Sequence, residues 1–246
     1  ATVWFHAPHE PVVAGPKYLA LYADTKFGSK RKNYYGCLTS MDEQIGRLRK
    51  KLRELGLEKN TLLLFCSDNG PSGGATKKGV ASAGPFKGHK HTMYEGGILV
   101  PACIEWPGVI TPGVTTDVRC STVDFFPTIA SVVGYSFSSK QKRPIDGIDL
   151  FPVIKGSVKK RSKDLFFGYR RLYQGINGIA LIRGDYKILR EAKKDGRVRL
   201  YNLAKDPYEK NDLSKEEPER LKEFTSALEE IDKSCQLSRD GADYRY

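Results

Sequence analysis

Three short stretches hold the side chains best suited to chemistry. In "FCSDNGPSGG", residues 65–74, an apolar run gives way to Asp68, Asn69 and Gly70. A carboxylate beside an amide carbonyl offers two hard oxygen donors of the kind Ca²⁺ or Mg²⁺ prefers. The same three residues are also the commonest material of a tight turn, with Gly70 at positive φ. In "FKGHKHTMYEGG", Lys87, His89, Lys90 and His91 fall within five residues, between glycines that let a backbone approach a ligand closely. Cations on such a loop suit a tetrahedral oxyanion, and they equally describe a basic surface loop. His9, in "APHEP", lies between prolines, where a histidine is more often a structural or exposed loop residue than a catalytic one. The four histidines include no pair at helical i, i+4 spacing, so a histidine metal site is not indicated.

The elements that must position these residues are legible from periodicity. "ATVWF" reads as a buried strand running into the His9 loop. Apolar residues then recur at three- and four-residue steps from Tyr34 through Cys37, Leu38, Met41, Ile45, Leu48 and Leu52 to Leu55, a helix stopped by Gly56. "NTLLLFCSD" is a short apolar run. Residues 1–67 are therefore expected to be strand, helix, strand in a mainly parallel sheet, with His9 and Asp68-Asn69 both beyond the carboxyl ends of strands, where ligands collect in such sheets. A glycine-rich loop spans residues 70–97, and a further strand is expected from about Ile98. "STVDFFPTIASVVG" reads as a helix capped at Ser121 or Thr122 and stopped at Gly134.

Past residue 157 the pattern changes. "DLFFGYR", "GIALIRG", "YKILREA" and "RVRLYNL" read as strands of an antiparallel meander, turning at Arg183-Gly184-Asp185 and Asp195-Gly196. A last helix from about Pro218 to Lys233 carries Leu221, Phe224, Leu228 and Ile231 on the face that would cover this sheet. The expected fold class is α/β, a mainly parallel or mixed sheet sandwiched by helices, with a smaller antiparallel sheet plus helix at the carboxyl end. The expected division is 1–156 and 157–246.

Composition sets the outer limits. With 246 residues, 39% of them hydrophobic, the chain has material for a sizeable core. Lys and Arg number 41 against 29 Asp and Glu, a formal net charge of +12 that suits polyanionic partners or substrates, though charge alone more often describes solvated basic faces. No zinc finger, basic zipper or aromatic-basic RNA motif accompanies that charge, so nucleic acid is not the expected partner. Cys37, Cys66, Cys103, Cys120 and Cys235 are dispersed, with neither a disulfide framework nor zinc spacing. No apolar run approaches the roughly 18–20 residues of a membrane span.

"APHEP", "MDEQIGRLRKKLRELG", "NTLLLFCSDNGP", "GHKHTMYEGGILVPACIEWPG", "DFFPTIASVVG", "DGIDLFPVIKG" and "LYNLAKDPYEKNDL" follow one another as they do in the type I sulfatases. In that joint order the chain resembles the carboxyl-terminal half of a sulfatase of the alkaline phosphatase superfamily. The resemblance covers nearly the whole sequence and is most specific from Asp68 to Trp106. It implies an alkaline phosphatase-like fold and hydrolysis of sulfate monoesters, of a sulfated carbohydrate or an aryl sulfate. Asp68 and Asn69 match ligands of a divalent cation, Ca²⁺ first and Mg²⁺ as the alternative. Lys90 matches the lysine that holds the sulfate, and His9 the histidine that contacts the ester and protonates the leaving alcohol. His89 and His91 rank as further substrate contacts. An extracytoplasmic setting is also implied; the absence of any Asn-x-Ser/Thr site favours a periplasm over a lysosome.

One departure is large. Sulfatases make a formylglycine from a Cys/Ser-x-Pro/Ala-x-Arg motif, and no cysteine or serine here begins that pattern. The paired aspartates that precede it in the family, and the Lys-x-His segment that follows it, are missing too. The nucleophile and the first metal ligands are therefore expected in a missing amino-terminal part, ahead of the reading that the chain is a degenerate relative. A phosphate or phosphonate monoester hydrolase of the same superfamily and a non-catalytic polyanion-binding module are the competing functions.

Overall fold

The computed structural model describes residues 1–138, 143–171, 176–191 and 196–244. Its first half is organised around one long helix. A short helix, α1 (Pro16–Ala20), leads into α2 (Ser29–Glu54), which ends just before Gly56 at φ +68°, the stop the sequence announces. The amino-terminal segment is pinned to α2 by close contact. Ala14 N donates to Asn33 Oδ1 at 2.9 Å, and a Cβ on Gly36 would come within 2.6 Å of the Ala14 methyl.

Strand β1 (Leu63–Cys66) pairs with β2 (Ala102–Glu105), from Leu63↔Glu105 to Cys66↔Ala102. The pairing is antiparallel, which corrects the expected strand, helix, strand unit. Residues 1–6 form no strand: Trp4 is 91% exposed, and Val3 and Phe5 are exposed as well. An apolar run becomes a strand only where a neighbour takes up its backbone groups, and for β1 that neighbour is the chain returning after the glycine-rich loop. The strand expected from Ile98 begins four residues later. A short helix, α3 (Gly73–Lys77), lies within the glycine-rich loop; residues Glu95–Ile98 then form a helical turn, α4, and Pro101, which has no N–H to donate, precedes β2 and accepts from Ser67 N at 3.1 Å.

Between the loop and the second half, Ser121 and Asp124 form a reciprocal cap on the turn Thr122–Asp124, which continues into α5 (Phe125–Val132) and stops at Gly134, φ +72°. Helix α6 (Phe151–Ile154) follows.

The carboxyl-terminal sheet forms as expected. Strands β3 (Leu165–Arg171), β4 (Ile176–Arg183), β5 (Tyr186–Arg190) and β6 (Val198–Asn202) pair antiparallel in chain order. Gly184 turns the chain at φ +56° and Gly196 does so at φ +57°, while Asp195 lies outside the described residues. Alternation along β4 divides the core. Ile179 and Leu181 join Ile188 and Leu200 beneath Phe224 and Leu228 of α7 (Pro218–Arg239), at about 1.5–3 kcal/mol for each large side chain buried. Ala180 and Ile182, with Leu189 and Tyr201, face the opposite way and pack on Met93 and Tyr94. The second face of this sheet is thus roofed by the segment that carries Lys90.

Candidate functional site

Asp68 and Asn69 stand at the corner where β1 ends. Ser67 Oγ donates to Asn69 O at 3.1 Å, fixing the turn, and Gly70 N donates to Gly97 O at 2.9 Å. Lys90 N then donates to Pro71 O at 2.8 Å, and Gly96 N to Lys87 O at 2.7 Å. The bonds Gly70 to Gly97 and Lys90 to Pro71 therefore stitch the Asp68 corner to the Lys90 loop, and the Gly96 to Lys87 bond closes that loop on itself. The glycines make this possible: a Cβ on Gly70 would lie 1.9 Å from Gly96 O, and one on Gly97 would lie 2.3 Å from Thr92 O.

On that scaffold the Asn69 amide donates to Asp68 Oδ2, so the two side chains converge on an exposed corner. The donor chemistry suits a hard divalent cation, and two donors supply only part of a shell that takes about 6–8 oxygens. Among the described residues no group of three or more His, Cys, Asp or Glu gathers to hold a metal.

The histidines divide. His89 is half-buried: its Nδ1 meets Lys90 O at 2.8 Å, its amide donates to Thr92 Oγ1 at 3.1 Å, and its ring lies so close to Gly73 that a Cβ there would come within 2.8 Å. His91 is exposed, sits at φ +75° and stacks on Tyr169 of β3, with ring centroids 4.8 Å apart. A non-glycine residue in that region costs about 1–3 kcal/mol, which the surrounding structure must offset. His9 is exposed and held within its own loop, by its amide to His6 O at 2.8 Å and its Nδ1 beside Glu10 O at 3.0 Å. Asp68, Asn69, Lys90, His89 and His91 are thus joined on one stitched loop pair, and His9 belongs to a separate segment.

Sequence reading missed what lies beneath. Lys187 of β5 is fully buried, 2.8 Å from Glu95 Oε1 and 2.9 Å from Glu209 Oε1. The Glu209 oxygen lies off a hydrogen-bond direction, while its Oε2 accepts from Glu95 N at 2.7 Å. Arg119 reaches Glu95 Oε2 at 3.3 Å. Burial pushes the Glu209 carboxyl above the usual carboxylate range, against the pull of the Lys187 ammonium. Nearby, the Lys87 ammonium lies 4.4 Å from the Tyr94 ring centroid and 3.3 Å from Glu209 O. The signal was present in "YEGG", "YKIL" and "DPYEK", but nothing in sequence spacing joins residues 95, 187 and 209.

Comparison with known proteins gives this geometry a family. The model of the Sulfatase family matches residues 1–135, and that of N-sulphoglucosamine sulphohydrolase, C-terminal, matches residues 86–234. Arylsulfatase A of Homo sapiens is 33% identical over 183 residues, 74% of this chain and 34% of the relative. N-acetylgalactosamine-6-sulfatase of Rattus norvegicus is 34% identical over 182 residues, 74% of this chain and 32% of the relative. The solved structure of Ps i-CgsB in complex with k-i-k-neocarrahexaose superposes with a TM-score of 0.80 at 27% identity, covering 92% of this chain and 48% of that one. The fold class is accordingly the α/β, alkaline phosphatase-like one expected. The chain spans about a third of the length of the curated relatives it matches. Since the Sulfatase model takes in residues 1–135 of 246, and relatives a third identical extend over three-quarters of the chain, this chain belongs to the sulfatase family.

Proposed function

We propose that the full-length protein carrying this chain hydrolyses sulfate monoesters, R–OSO₃⁻ + H₂O → R–OH + SO₄²⁻ + H⁺, and that this chain supplies one side of the site. The observation that carries the reading is the stitched loop pair: hydrogen bonds between Gly70 and Gly97, and between Lys90 and Pro71, hold a corner of two hard oxygen donors against a loop bearing a cation.

Lys90 binds the sulfate oxygens through its ammonium, as a point charge free to follow the group as its charge redistributes. His9 gives a proton to the ester oxygen as the bond to sulfur breaks, which matters most for an alkyl alkoxide, a poor leaving group. Asp68 and Asn69 would hold a divalent cation, Ca²⁺ in first place and Mg²⁺ as the alternative. Such a cation, when bound, draws electron density from a sulfate oxygen. The nucleophile, a formylglycine in this family, is not supplied by residues 1–246. His89 and His91 contact the substrate, His91 from its stack on Tyr169. Residues 1–156 belong to the catalytic α/β domain and residues 157–246 form the α+β subdomain. The net charge of +12 and the sulfated-sugar complex of Ps i-CgsB support a sulfated carbohydrate as substrate, and arylsulfatase A supports an aryl sulfate. The setting proposed is extracytoplasmic.

The test uses the full-length protein on matched aryl sulfate and aryl phosphate esters, with Asp68→Ala beside the parent. Asp68 is exposed, so the variant keeps its melting temperature and loses sulfate release, as the parent does on chelation. Turnover that survives in Asp68→Ala at low Ca²⁺ and Mg²⁺ removes the metal assignment, and preference for the phosphate ester removes the reaction.

A further inference from the structure

A lysine with no exposed surface, between two buried glutamates, needs a reason to be there. Taking charges out of water is costly, and such a cluster is weak evidence for stability, because well-packed apolar side chains of similar volume do as well. Its location supplies a reason. Glu95 is the first residue of α4 and directly precedes Gly96 and Gly97. Gly97 O receives the Gly70 amide of the Asp68-Asn69 corner, and Gly96 N donates to Lys87 O at the start of the Lys90 loop. The Glu95 side chain is held by Lys187 Nζ and its amide by Glu209 Oε2. Glu209 takes a left-handed backbone, φ +55°, to present that carboxylate. Lys187 itself sits on β5, a strand with a neighbour on each side and so a firm base.

We propose that Lys187 is a positioning residue: through Glu95 it fixes α4, and so sets the Asp68-Asn69 corner and Lys90 at the separation that lets one sulfate meet both. The inference rests on the roles proposed above for Asp68, Asn69 and Lys90. It assigns the carboxyl-terminal sheet a part in the site beyond stability. Neither Lys187 nor Glu209 touches substrate, and no proton moves through them.

The test again takes the full-length protein, with Ca²⁺ and inorganic sulfate as titrated ligands and an aryl sulfate as substrate. Lys187→Met removes the buried ammonium and leaves Arg119 as the cation on Glu95, at 3.3 Å and from a part-exposed side chain. Leu228→Ala, on the far face of the same sheet, destabilises without touching that cluster and serves as the structural control. Both are measured below their melting temperatures. Loss of a residue that orients binding groups from behind typically costs about 10–100-fold. Lys187→Met is therefore expected to weaken Ca²⁺ and sulfate binding and to raise KM by at least about tenfold, while Leu228→Ala melts earlier and leaves all three unchanged. If Lys187→Met does not fold, Glu95→Gln, which keeps the side chain's shape and gives up its charge, is expected to weaken the same two ligands. Unchanged binding in whichever variant folds, or equal losses in Leu228→Ala, overturns the proposal, as does a parent that binds neither ligand. Binding that responds to Lys187 in a protein that releases no sulfate would leave this inference standing and remove the functional reading instead.

Discussion

Among single residues the proposed site has two kinds of member, side chains that would bind and glycines that let them meet. Asp68, Asn69 and Lys90 announce themselves in sequence because their chemistry sits beside glycines that have no other use. The structure shows what those glycines do: Gly70 accepts no Cβ, since Gly96 O would be 1.9 Å away, backbone against backbone. Gly70→Ala must therefore part the two loops, and overpacking of this kind costs about 1–3 kcal/mol or more. The expected outcome is a lowered melting temperature together with lost Ca²⁺ binding in the full-length protein, checked by thermal melts and calorimetric titration. His9 makes a different prediction. If it protonates the leaving oxygen, His9→Ala slows alkyl sulfates by about 10²–10⁴-fold and aryl sulfates with acidic phenols far less. Rates across a leaving-group series check this, and equal losses throughout would leave His9 only a part in holding the ester.

At the scale of elements, legibility followed the source of each element's stability. Helix α2, the capped α5 and the four-stranded meander were readable because each carries its own periodicity and its own stop, Gly56, Gly134 and Gly184; α7 was readable from its apolar face alone, and with no stop signal at Lys233 it runs on to Arg239. The amino-terminal strand was not, because "TVWF" has strand composition but no partner within the described residues, and pairing is not a local property. The direction of β1 against β2 was missed for a related reason. An apolar run states that it is buried and leaves open which strand lies beside it. Leu228 of α7, 1% exposed against Ile179, Leu181 and Leu200, tests the part that was legible. Leu228→Ala should cost about 2–5 kcal/mol in a denaturant melt, the range for a large buried aliphatic side chain.

At the scale of the whole molecule, two sheets cooperate on one loop. The antiparallel pair β1 and β2 presents the Asp68 corner from one side, and the carboxyl-terminal sheet reaches the Lys90 segment from the other through Met93, Tyr94 and the buried Lys187. Sequence named the ends of this arrangement and missed its middle, since a buried Lys reads on the page as one more basic residue among 41. In the function proposed above, Lys90, held against the Asp68-Asn69 corner, grips the sulfate of an ester that the full-length protein cleaves. The most direct measurement is sulfate released per enzyme from an aryl sulfate and from a sulfated oligosaccharide, by ion chromatography, for the parent and for Lys90→Ala. The parent should release sulfate steadily, and Lys90→Ala should show a fall in kcat/KM of about 10²–10³-fold on both substrates with the melting temperature kept, the loss typical of one electrostatic stabiliser. Lys90→Ala turnover equal to the parent's, or a folded parent that releases no sulfate from either ester, would contradict it.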